Sequence, residues 1–77
     1  MKLAELYENI EGILELEAGT ITGQETLESL GEWNSLAIIS FIAFADGMLG
    51  LSLNPESLKK AQKVADLVAL VQSAINS

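Results

Sequence analysis

The chain contains no cysteine, no histidine and no arginine, and only one proline in 77 residues. Without cysteine there is neither a disulfide nor a thiolate, and without histidine the usual zinc sites lose their ligands. No metal site is expected. The missing histidine also removes the commonest general base, so an enzyme would have to work with carboxylates or lysines alone. An active site of its own is not expected, and no catalytic residue is assigned. Basic residues are scarce: eleven acids face four lysines, for a net charge of −7. Such a chain cannot supply the basic contacts that nucleic acid or an anionic membrane requires, and its natural complement is a basic protein partner. No apolar run is long enough to span a bilayer, and MKLAELYENIEG places acids where a signal peptide keeps its apolar stretch. A cytoplasmic monomer is the expectation.

What is present is apolar: nearly half the residues, enough for one small core and too few in total for a second domain. Residues 1–77 are read as a single domain. Leu3, Leu6, Tyr7, Ile10, Ile13 and Leu14 recur at spacings of three and four, with Glu5, Glu8, Glu11, Glu15 and Glu17 on a solvated face. This predicts an amphipathic helix from about Lys2 to Ala18, stopped by Gly19. Thr20 to Asn34 reads as a long connection anchored by Ile21, Leu27 and Leu30, with one helical turn over Thr26 to Leu30. Loops of this length in small domains are often functional.

From Ser35 the run continues as LAIISFIAFADGML, apolar on every side with Asp46 its single charge, and its length and alanines favour helix over strand. Gly47 and Gly50 are expected to break it. Leu36, Ile39, Phe41, Ile42 and Ala45 are assigned to the core. Ala37, Ile38 and Phe44 cannot all face inward with that set, so apolar surface should remain near Ser35. Trp33 is expected to cover the loop, its N–H on a backbone acceptor. It joins Ala37 and Ile38 in the expected partner surface. Asn54, Pro55 and Glu56 form a helix start signal for a short third helix through Ala61. Val64, Leu67, Val68, Val71, Ala74 and Ile75 predict a last helix running to the C-terminus, while Lys59, Lys60 and Lys63 balance local acids.

The acidic four-helix pattern, with LGEWNSL opening the second helix and ESLKKAQKVADLVALVQ closing the chain, resembles the acyl carrier protein family. The resemblance covers nearly the whole chain. It implies an all-α four-helix bundle with a short third helix and a long loop between helices one and two. It also implies 4′-phosphopantetheine as a covalent cofactor on Ser35, with Asn34 and Leu36 beside it and Leu36 anchoring the helix start. The implied partners are a phosphopantetheinyl transferase and the acyl-transferring and condensing enzymes of fatty-acid, polyketide or related biosynthesis. An acyl chain held on such an arm could insert between the helices. This sequence departs from the family at Asn34, where an aspartate is usual, and in the first turns of the second helix, where Ala37, Ile38, Ser40 and Ala43 replace acids. The alternative is an adaptor that keeps the carrier fold, is never modified, and works as a protein-binding module.

Overall fold

A computed structural model describes residues 1–31 and 33–75. The first helix, α1 (Leu3–Ile13), starts where the Glu5 carboxylate accepts the Lys2 N–H at 3.0 Å. It stops well short of Ala18. Glu15 adopts a left-handed conformation (φ 58°), and two amides fold back onto the last turn: Leu16 N–H to the Glu11 carbonyl at 2.8 Å and Glu15 N–H to the Gly12 carbonyl at 3.3 Å. This is a Schellman closure, with a glutamate in the position that glycine usually takes. Gly19 therefore lies in the loop beyond the helix, not at its end.

One acid of α1 departs from the solvated face. Glu11 is only 4% exposed, and its Oε2 accepts the Ile21 N–H at 2.9 Å. On α1 it lies one turn beyond Tyr7, whose hydroxyl meets Gly23, so the 21–23 segment crosses this flank of the helix. Burial of a carboxylate is tolerated there because it satisfies a backbone donor that would otherwise be buried without a partner.

The long connection is anchored as expected, with Ile21 and Leu27 buried and Leu30 packed against the core. Its helical turn, α2 (Leu27–Leu30), is capped by Thr26, whose side chain accepts the Ser29 N–H at 3.2 Å. α3 (Ser35–Phe44) follows and runs on through a wider π-helical turn over Ala45–Leu49. Gly47 does not break it. The stop comes at Gly50, left-handed at φ 67°, where the Leu51 N–H reaches back to the Ala45 carbonyl at 3.1 Å.

Asn54 caps α4 (Pro55–Lys60) by accepting the Glu56 N–H at 2.8 Å, with Pro55 in the first helical position. Residues 61–63 separate α4 from α5 (Val64–Leu70), and a 3-10 turn, Gln72–Ala74, ends the last element before Ile75. The continuous last helix predicted from the sequence is thus two shorter pieces, and Asn76 and Ser77 lie outside the described residues.

Phe41, Leu6, Ile10, Leu58, Val64, Leu67 and Val71 are fully buried, so α1, α3, α4 and α5 share one core. A radius of gyration of 11.1 Å agrees with about 11.5 Å for a folded chain of this length. The fold is all-α and compact, with five α-helices and no strand among the described residues. An isolated antiparallel bridge joins Thr26 and Lys63. There the Leu27 N–H donates to the Gln62 carbonyl (2.8 Å) and the Val64 N–H to the Glu25 carbonyl (3.0 Å). No described helix is long and apolar enough to cross a membrane.

Candidate functional site

α3 begins at Ser35, but the residue that caps it is Asn34. The Asn34 Oδ1 accepts the Ala37 N–H at 3.0 Å, and its carbonyl accepts the Ile38 N–H at 3.0 Å. Ser35 is the first helical residue and is exposed. Its hydroxyl thus stands at the positive end of a helix ten residues long, where an anion is favoured by about 0.3–1 kcal/mol.

The face that α3 turns to the core differs from the one assigned to it. Ala37 and Ile38 are 5% and 6% exposed, so neither belongs to a partner surface. Leu36 and Ile39 are 72% and 62% exposed, so neither belongs to the core, and Leu36 does not anchor the helix start. Phe41 and Ala45 are buried as expected, while Ile42 and Phe44 are half-buried against them. The physical reason is the phase of the helix. Ile38, Phe41 and Ala45 lie at spacings of three and four and follow the inward side, which leaves Leu36, Ile39 and Ala43 on the outward side. With apolar residues all round, nothing in the local pattern marks which side turns in. The remaining apolar surface expected near Ser35 is present, carried by Leu36 and Ile39.

Trp33 is half-buried and its indole N–H donates to the Leu58 carbonyl at 3.0 Å. Its ring meets Phe41 edge-on, with centroids 6.3 Å apart. This is the covering role expected of it, and it ties the loop before Ser35 to α4. Glu32 of the LGEWNSL motif lies outside the described residues.

Two grooves flank this junction. One, of about 510 Å3, lies between α2 and the α4–α5 link, with Trp33, Leu27, Ala61 and Gln62 on its walls. The other, of about 420 Å3, brings Ile13, Leu14 and Glu15 from the end of α1 against the opening of α3. On the α3 side it is lined by Asn34 and Leu36, the two neighbours of Ser35, and by Ala37 and Ser40. The sequence holds no local sign of this second juxtaposition, since eighteen residues lie between Glu15 and Asn34. Lys59, placed by sequence among acids, pairs with Glu56 at 3.6 Å on the surface, a contact worth about 0–1 kcal/mol.

No cluster of three or more potential metal-ligating side chains exists among the described residues. Compared with protein-family models, with curated proteins and with solved structures, the chain matches none.

Proposed function

We propose that this chain is a carrier of the acyl-carrier type, in which Ser35 bears a 4′-phosphopantetheine arm that holds acyl intermediates as thioesters and delivers them to partner enzymes. The observation that carries the reading is the exposed Ser35 hydroxyl at the first position of a well-capped helix, in a chain with the acidic LGEWNSL pattern. Attachment forms one phosphodiester bond to Ser35 Oγ. The hydroxyl proton is lost, and adenosine 3′,5′-bisphosphate leaves from coenzyme A. The new anion lies at the helix N-terminus, and the arm's thiol supplies the covalent chemistry that a chain without cysteine cannot supply itself.

Incubation with coenzyme A and a broad-specificity phosphopantetheinyl transferase should raise the intact mass by one arm, and Ser35→Ala should abolish the gain. No gain, or a gain that survives Ser35→Ala, would overturn the reading. The second reading, an unmodified adaptor of the same architecture, is favoured by one feature: Asn34 brings a cap but no charge. Asn34→Asp retains an equally good capping residue. Faster loading of that variant identifies the missing carboxylate as the rate-setting departure. Loading of neither form, together with a partner that binds Ser35→Ala normally, favours the adaptor.

A further inference from the structure

We infer that Asn34 is a site of self-modification: its side chain loses ammonia to leave a carboxylate beside Ser35, and this sets how readily Ser35 is loaded. The effect on loading rests on attachment of the arm to Ser35; the modification itself does not. The reaction needs an asparagine whose following backbone nitrogen can give up its proton and reach the side-chain Cγ. Asn9, Asn34 and Asn54 lie among the described residues, and two of them lack this. Asn54 is followed by Pro55, whose nitrogen carries no proton. Asn9 lies inside α1 with its Nδ2 on the Glu5 carbonyl at 2.8 Å, and the next amide, that of Ile10, belongs to the helical ladder. Asn34 is exposed and outside the helix, while the Ser35 N–H is among the first of α3, which have no acceptor within the helix.

The backbone of Asn34 also stands nearest to the reacting geometry. The ring closes when Cβ and the Ser35 nitrogen eclipse about the Cα–C bond, at ψ of about −120°. Asn34, at ψ −174°, is closer to this than Asn54 at 125° or a helical residue at about −42°. The Ser35 nitrogen gives its proton to solvent base and bonds to Asn34 Cγ, and Nδ2 leaves as ammonia. Water then opens the ring at one of its two carbonyls: opening at Cγ yields aspartate, and opening at the backbone carbonyl yields isoaspartate. Negative charge gathers on Oδ1 during the attack, and this oxygen already accepts the Ala37 N–H at 3.0 Å at the positive end of α3. The same bond opposes the swing of the side chain that closure needs, so the rate in the folded protein is the decisive quantity. The aspartate product keeps the cap and adds a charge. The isoaspartate product lengthens the main chain by one carbon just before Ser35 and loses the cap.

The test ages the purified protein at mildly alkaline pH and maps the products by mass after Glu-C cleavage in acid. Cuts after Glu32 and Glu56 free residues 33–56 and 57–77, and the second fragment holds Asn76, which also precedes a serine and serves as the sequence-matched reference. Residues 33–56 should acquire the aspartate and isoaspartate forms over the time in which Asn76 reacts, while the fragment with Asn9 stays unchanged. Asn34→Gln, which cannot close the same ring, should leave 33–56 unchanged. Reaction at Asn76 with 33–56 intact overturns the inference. In aged protein given coenzyme A and the transferase, chains with the aspartate product should load at the rate of Asn34→Asp, several-fold ahead of unaged chains, and isoaspartate chains should lag. One common rate for all three forms overturns the effect on loading. Loading of no form, with the modification mapped at Asn34, overturns the attachment and its dependent effect and leaves the modification standing.

Discussion

Gly23 sits at φ +111°, directly against the hydroxyl of Tyr7, and a side chain there meets two obstacles at once. The backbone conformation disfavours any L-residue, and a Cβ would fall on the Tyr7 oxygen. Gly23→Ala should therefore destabilise the fold by about 2–5 kcal/mol, summing the usual costs of a left-handed backbone and of overpacking. Tyr7→Phe removes the obstructing oxygen but not the backbone strain, so Gly23→Ala should cost markedly less in that background. Urea midpoints of the four proteins measure this; an equal cost in both backgrounds would mean that the hydroxyl contact is not limiting. Neither Tyr7 nor Gly23 was legible as a contact, because one belongs to a helical pattern and the other to a loop. Glu11 escaped for a related reason. It repeats in a series with Glu5, Glu8 and Glu15, and nothing local distinguishes the one carboxylate that the loop will fold across. Ser35 was legible because its signal is local: asparagine and serine before an apolar run mark a helix start wherever they occur.

Among the elements, α4 was read best, because its start signal is chemical: Asn54 before Pro55 defines a cap, and α4 begins where that cap requires. The turn expected over Thr26 to Leu30 is α2, with Thr26 its cap rather than its first residue. α1 was read too long because its stop is a left-handed glutamate, a residue that carries no warning. α3 was located correctly but rotated, since a helix apolar on all sides has no polar face to set its phase. That rotation gives a direct measurement. Ile38→Ala should cost about 2–5 kcal/mol, the usual loss for truncating a buried aliphatic side chain, whereas Ile39→Ala one position later should stay within about 0.5 kcal/mol. If Ile39→Ala proved the more damaging of the two, the inward face of α3 would be the one containing Leu36 and Ile39 after all. The same contrast governs the candidate site, because the exposed pair lies beside Ser35 and is free to change without loss of the core.

At the scale of the molecule, the two halves of the chain are joined where the loop before α2 meets the link before α5, around the bridge between Thr26 and Lys63. A carboxylate locks each side of this seam. Glu25 accepts the Thr22 backbone N–H and the Thr22 hydroxyl, both at 2.8 Å, and the Gly23 N–H at 2.9 Å. Asp66 accepts the Gln62 and Lys63 N–H groups at 2.9 and 3.0 Å. The Thr22 backbone bond, followed by its hydroxyl, holds the Glu25 carboxyl down to about 2 from an ordinary 4.5. The Gln62 amide, then that of Lys63 and the Lys63 charge, lowers Asp66 from its ordinary 3.8. In this range the unfolded chain binds more protons than the folded one, so stability rises with pH. The contribution of these clamps is thus fully present above about pH 5 and is lost as pH falls from there toward 2. Asp66 is open to solvent and Glu25 partly so, so screening by salt should blunt the effect. The double variant Glu25→Gln, Asp66→Asn should start less stable at neutral pH and lose less on acidification, converging with the parent toward pH 2. Denaturant midpoints followed over that window decide it: two parallel curves would place the acid sensitivity in other carboxylates of this strongly acidic chain, and the seam would then be held by its backbone hydrogen bonds alone.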